Sequence, residues 1–179
     1  MIFLTLGTHQ PFDRLVEGVD RWCAANPDAR VIGQVPLERG SYHPKHFETM
    51  PHLHINEYRA LFQKSEFIVA HAGMGSIITA LCLSRPIVIF PRRADLREQR
   101  NDHQLATVRR FRGKTGVHVA EEVETLFDAM DTLHGAARQA AAPCADGAGN
   151  AAASQFADPA FVAALRDVIA AGAGPRSVN

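Results

Sequence analysis

Three short stretches of this chain carry residue types able to act on an anion: Gly7-Thr8-His9-Gln10, His71-Ala72-Gly73-Met74-Gly75-Ser76, and the run from Pro91 to Gln104. In the second, Gly73 and Gly75 leave the backbone bare where a strand turns into a helix. Amide N–H groups can then approach an anion closely while the helix dipole adds partial positive charge. Ser76 either caps that helix or donates its hydroxyl to the same anion. The third stretch places Arg92, Arg93, Arg97 and Arg100 ahead of Asn101, Asp102, His103 and Gln104. Guanidinium groups suit phosphate, whereas a run of amide, carboxylate and imidazole groups suits the hydroxyls of a sugar, so the pairing points to a sugar phosphate. The bland alternatives are a tight strand-to-helix turn for the glycine stretch and a capped, solvated helix start for the arginine stretch.

Other chemistries lose their usual support. No GxGxxG follows the first strand, no GxxxxGK[ST] occurs, and HAGMGSI does not satisfy the GxSxG register. Dinucleotide oxidoreductases, P-loop NTPases and α/β hydrolases are therefore disfavoured. His43, His46, His52 and His54 fall in a Pro-rich region without a cysteine, so no metal site is expected. His71, at a strand end, is read as orienting the hinge rather than moving protons.

The positioning elements follow from hydrophobic periodicity. Strands are predicted at Ile2 to Leu6, Arg30 to Val35, His52 to Ile55, Phe67 to Ala70, Ile87 to Phe90 and Gly116 to Val119. Helices are predicted from Pro11 through Cys23, Glu57 to Lys64, Gly75 to Leu83, Gln99 to Phe111, Glu121 to His134, and about Pro159 to Ala170. Pro36 to Pro51 reads as an irregular loop and residues 135–154 as an Ala/Gly-rich connection. Short apolar strands alternating with helices imply an α/β, Rossmann-like fold: a mostly parallel sheet with helices on both faces. Ligands of such sheets sit at the carboxyl ends of the strands, which is where the three polar stretches fall.

Composition bounds the rest. The 179 residues, 46% hydrophobic, suffice for one core. The expected organisation is a Rossmann-like unit over 1–134, with 135–179 as a connection and terminal helix of the same domain. The 19 basic and 19 acidic side chains cancel, which argues against nucleic acid and against capture by an anionic membrane surface. Cys23, Cys82 and Cys144 are odd in number and form no CxxC pair, as expected of reduced thiols in a cytoplasm. MIFLTLG lacks a basic n-region and is too short for a signal or a membrane span, so no membrane insertion is expected.

FIVAHAGMGSIITAL, RPIVIFPRR and RNDHQLA, together with the opening FLTLGTHQPFDRLV, resemble the carboxyl-terminal domain of family 28 glycosyltransferases. The resemblance covers roughly residues 1 to 120 in the right order and spacing. It implies one half of a GT-B enzyme, the half that binds a nucleotide diphosphate sugar, usually a UDP-sugar. The family includes enzymes split into a small soluble donor subunit and a membrane-associated acceptor subunit. The RRADLREQRNDHQ segment is most similar to the bacterial exopolysaccharide type. By resemblance the diphosphate lies over Ala72, Gly73, Met74 and Gly75, with Ser76 at the helix start and Arg92 nearby. Asn101, Asp102, His103 and Gln104 then face the donor sugar, and Gly7, Thr8 and His9 lie on the cleft side. Where many GT-B donor domains carry a ribose-binding glutamate, this chain has Thr79, which can make one such hydrogen bond but not a bidentate, charge-assisted pair.

The implied reaction is in-line attack by an acceptor hydroxyl on the anomeric carbon, with the departing UDP stabilised by helix amides, Ser76 and arginines. His9 is the best local general base; its competing roles are a helix cap, with the base then supplied by the acceptor half. No cofactor is implied. The implied location is cytoplasmic, peripheral at the inner membrane face through the partner. Two other readings are a non-catalytic nucleotide-sugar or phosphate-binding regulatory module and a UDP-sugar epimerase. The chain length disfavours the epimerase, which needs both GT-B halves.

Overall fold

The computed structural model describes residues 1–7, 11–36 and 40–141. Thr8, His9, Cys144 and the terminal helix expected near 159–170 lie outside the described residues. The described elements run β1 (Ile2–Thr5), α1 (Asp13–Ala25), β2 (Val31–Gln34), β3 (Glu48–Met50), α2 (Ile55–Lys64), β4 (Ile68–His71), α3 (Met74–Cys82), β5 (Ile87–Phe90), α4 (His103–Phe111), β6 (Val117–Val119) and α5 (Val123–Ala141).

The strands form one parallel sheet in the order β3-β2-β1-β4-β5-β6. Its central strands are apolar on both faces because each face is covered. Ile2 and Leu4 of β1, Val69 of β4 and Val88 of β5 pack on one side with Leu15, Val19 and Trp22 of α1 and Leu126 and Met130 of α5. Phe3, Ile68, Ala70 and Ile89 point the other way, onto Phe62 of α2, Ile77 and Leu81 of α3, and Val108 of α4. This period of two assigns alternate residues of one short strand to two separate cores. The chain builds outward through β1, β2 and β3, then returns to set β4 on the other flank of β1. The connections after β1 and β4 therefore diverge, opening a crevice at the carboxyl edge.

Three elements differ from the sequence reading by more than two residues. The strand expected at His52 to Ile55 is instead Glu48–Met50, which pairs with Ile32 to Gln34 and lies within the expected loop. His54 begins α2 through a reciprocal capping box with Glu57. An exposed three-residue edge strand has too little alternation to show in the sequence. The fourth helix starts at His103, not Gln99: a turn at 94–97, with Arg97 at φ 59° and its N–H on the Ala94 carbonyl, is followed by bends over 98–102. The fifth helix continues past His134 to Ala141, since its alanines propagate a helix well without an apolar stripe.

Asp20 of α1 is 2% exposed and organises the segment leading into β3. Its carboxylate accepts from the Tyr42 hydroxyl at 2.8 Å and from the Lys45 and His46 amides at 2.9 and 2.7 Å. His46 Nδ1 lies 3.3 Å from the same group. Burial pushes the Asp20 carboxyl up, but the His46, Tyr42 and Lys45 hydrogen bonds outweigh it and hold it below the usual value. Its contribution is therefore present above the unfolded carboxylate range and lost as pH falls through the lower folded value. Asp20→Ala is expected to lower stability by about 2 kcal/mol in urea unfolding. The variant should lose part of the acid sensitivity, and hydrogen exchange should quicken at the Lys45 and His46 amides.

Candidate functional site

A cavity of about 460 Å³ occupies the crevice at the sheet's switch point. The segment after β1 contributes Leu6 and Gly7, the end of β4 contributes His71 and Gly73, and the β5–α4 connection contributes Arg92, Gln99 and Arg100. Asn101, His103 and Gln104 complete the described lining, which holds no carboxylate. The volume is that of a small-molecule site, and the lining favours an anion.

His71 forms the floor. A Cβ on Gly73 would stand 2.2 Å from His71 Nε2, and one on Gly7 would stand 2.9 Å from the same atom. Both glycines are thus required by the ring between them, and Gly7 also adopts φ 75°. Burial, then the Arg92 charge, press the imidazole down to about 4, while the Thr5 carbonyl opposes them. His71 is neutral at physiological pH.

The α3 start gives the site its polarity. The Ala72 amide donates to the Phe90 carbonyl at 3.1 Å and the Gly73 amide to the His71 carbonyl at 2.7 Å. The first intrahelical bond runs from the Ile77 amide to the Gly73 carbonyl at 3.2 Å. Met74, Gly75 and Ser76 therefore supply the amides that a helix start leaves without an intrahelical partner, and no side chain caps them. Ser76 is 5% exposed, with its hydroxyl 3.5 Å from that of Tyr58.

The arginines divide in role. Arg92 is 4% exposed, donates to the Pro11 and Leu6 carbonyls at 2.6 and 3.1 Å, and lies over the Phe12 ring. Burial brings its guanidinium down to about 10, so it remains charged at neutral pH. It ties the β5 end to the β1–α1 segment and adds field to the cavity. Arg14 of α1 makes a two-pronged pair with Glu98 at 2.8 and 2.9 Å and donates to the Pro91 carbonyl. Arg93 pairs with Asp95 and Glu122, away from the cavity. Arg100 is exposed and lines the cavity.

The polar wall is internally ordered. Gln99 Nε2 is 2.8 Å from His103 Nε2, and an amide nitrogen only donates. His103 therefore accepts at Nε2 and donates from Nδ1 to the Asn101 side-chain oxygen.

Of the residues singled out from sequence, Gly7, Gly73, Arg92, Asn101, His103 and Gln104 line the cavity. Gln104 is 4% exposed, and its side-chain oxygen accepts from the Arg92 amide at 3.0 Å. Asp102 turns from the cavity and accepts from the Ala94 amide at 2.9 Å. Ala72 is buried at 1% exposure. The Thr79 hydroxyl donates along its own helix to the Gly75 carbonyl at 2.8 Å. Arg100, read from sequence in the basic run suited to phosphate, also stands in the lining, whereas His71 and Gln99 do so without having been singled out as binding residues. A histidine spaced one residue from a glycine gives the only sequence signal for His71, while nothing local to Gln99 sets it apart.

No family model and no curated protein sequence matches the chain. Among solved structures it is similar to the glycosyltransferase of kitacinnamycin at 19% identity and TM-score 0.55, over 93% of this chain and 37% of that one. It is similar to CalG4, the calicheamicin glycosyltransferase, at 14% identity and TM-score 0.52, over 97% of this chain and 44% of that one. A solution structure of ALG13 is similar at 17% identity and TM-score 0.49, over 73% of this chain and 83% of its own. The chain thus spans less than half of the first two proteins, whose likeness to it is one of fold. The architecture is a single Rossmann-like half of the GT-B kind.

Gly73→Ala is expected to drive the imidazole off its floor, costing about 1–3 kcal/mol in thermal or urea unfolding and shifting the His71 ring resonances. Because the folded state holds His71 below its ordinary 6.5, stability is full above that value and declines as pH falls toward about 4. His71→Gln should flatten that portion of the stability–pH curve, an effect of at most roughly 3 kcal/mol.

Proposed function

We propose that these residues form the donor-binding half of a glycosyltransferase that moves a sugar from a UDP-sugar to a lipid-linked acceptor, in exopolysaccharide or glycolipid synthesis. The observation that carries this reading is the meeting, at one switch-point cavity, of an uncapped helix N-terminus with a cationic described lining that holds no acid. A diphosphate fits that chemistry: the Met74, Gly75 and Ser76 amides and Arg100 donate to its oxygens. Asn101 and His103, ordered through Gln99, offer polar edges to the sugar. The fold of the GT-B glycosyltransferases is the second support.

In this mechanism the acceptor hydroxyl attacks the anomeric carbon and the nucleotide diphosphate departs from its opposite side. Negative charge grows on the leaving oxygen, where prearranged amides and the α3 dipole stabilise it without reorganising. Arg92 strengthens the field while its own donors hold the β1 segment in place. His9 is the proposed base on this chain, the facing half being the alternative source.

A GT-B site is a cleft, so a second half must face the carboxyl edge, and the reading places it on a membrane-associated subunit. Among the described residues, the exposed large apolar side chains are Met50, Ile55, Met74 and Leu96. All four lie at strand ends, helix starts or connections on that same edge, as expected of a surface another protein covers. No helix among the described residues is long and apolar enough to cross a membrane.

Gly75 supplies the decisive variant. A Cβ there meets nothing within 4 Å, so packing does not demand the glycine. Gly75→Ala is expected to keep or raise thermal stability, by up to about 1 kcal/mol, because alanine is the better helix former. Affinity for UDP measured by calorimetry should fall about tenfold or more as the methyl blocks close approach of the diphosphate. Unchanged affinity, or absence of UDP binding to the unsubstituted chain, would sink the reading. Co-expression with the membrane subunit should be needed for transfer to lipid acceptor, and a normal rate from the chain alone would remove the partner.

A further inference from the structure

We infer that His71 is a proton-linked sensor of the bound diphosphate: its neutral imidazole takes up a proton when the anion binds beneath the α3 start, so donor affinity varies with pH through this one ring. The inference rests on the donor-site reading above and adds to it a linkage between ligand and proton.

The ring's place in the site is set by two glycines. It is held between Gly7 and Gly73, with Nε2 within 2.9 Å of the Cβ position of either. Its Nδ1 is sealed from solvent without a hydrogen bond of good geometry. The Thr5 carbonyl lies close enough to favour a proton on the ring, so the imidazolium has an acceptor on its protein side. Its other N–H would point to a phosphate oxygen. Three cationic or titratable groups share the cavity with it: Arg92 from the β5 end, Arg100 from the connection, and His103 from the first turn of α4. Helix α3 has no acidic residue in its first turn and no basic residue in its last, so its start presents only its dipole. Glu98, which favours the charged form of Arg92, is engaged by Arg14 and by the Arg93 amide.

Burial, and after it the Arg92 charge, opposes a charged ring. A bound diphosphate reverses the sign of the local field and sets an acceptor beside the buried ring. One proton then passes from buffer to the ring, no covalent bond of the ligand changes, and the imidazolium adds a charge-assisted donor to the site. Linkage requires that affinity rise as pH falls between the free and bound proton affinities of the ring.

Calorimetry with UDP-glucose, and with UDP-N-acetylglucosamine as a second donor, in buffers of different ionisation enthalpy counts the protons. The diphosphate of such sugars does not titrate near neutrality, so uptake reports the protein. The expected result is net uptake that grows toward about one proton per site as pH is lowered from about 7 toward about 5. His71→Gln should abolish it, with a flatter dependence of affinity on pH. Nitrogen-15 shifts of the His71 ring in the unsubstituted protein should change from neutral to imidazolium on binding, a readout that does not depend on the variant folding. Binding without uptake, uptake retained in His71→Gln, or a ring still neutral in the complex overturns the inference while the donor-site reading stands. If neither sugar nucleotide binds, the donor-site reading itself fails.

Discussion

Parallel pairing of β1 with β4 is the constraint on which this molecule depends. Having built β2 and β3 to one side of β1, the chain returns to the other side to extend its sheet with β4. The connections leaving β1 and β4 must then part at the carboxyl edge. The cavity, its glycines and its helix N-terminus are consequences of that reversal. Phe3, Leu4 and Thr5 set against Ile68, Val69 and Ala70 bring Gly7 and Gly73 to opposite sides of one imidazole, although they lie far apart in sequence.

Divergent connections leave backbone groups that need partners, and two arginines meet much of that need. Arg92 serves the Pro11 and Leu6 carbonyls from the β5 side, while Arg14 reaches the Pro91 and Glu121 carbonyls from α1. Each guanidinium also lies over an aromatic ring, Arg92 at 4.4 Å from the Phe12 centroid and Arg14 at 4.3 Å from Phe90. The fork geometry and weak hydration of arginine suit it to several carbonyls at once in a nearly dry place. Positive charge is thus built into the site wall for structural reasons and contributes to its affinity for anions as well.

That dual use explains why residue type alone misleads here. A buried guanidinium bonded to backbone and an exposed one lining a cavity are both arginines in one basic run, yet Arg92 acts by holding and by field whereas Arg100 is placed for contact. His71 carries a similar tension: the packing that fixes its ring also desolvates it, and desolvation near a cation keeps it neutral.

Much of the fold was legible because its cause is local. Near-continuous apolar runs such as Ile2 to Leu6 or Ile87 to Phe90 suit strands covered on both faces, as in the centre of a parallel sheet, and the glycines after β4 announce a turn into a helix whatever surrounds them. The exposed β3 lacked that pattern, and the extra turns of α5 rest on alanine propensity rather than on a stripe. The site was legible in outline, as polar connections gathered at one edge, but not in its assignments. Asp102, His103 and Gln104 are neighbours in sequence, yet Asp102 anchors the connection while the other two line the cavity, Gln104 being also buried against the Arg92 amide. By itself, then, the sequence determined the alternation of elements and the edge at which chemistry would gather, since periodicity and glycine act over a few residues. Only the tertiary structure decided that His71 would stand between two glycines and that Arg92 would face carbonyls, since both depend on segments brought together by the sheet's reversal.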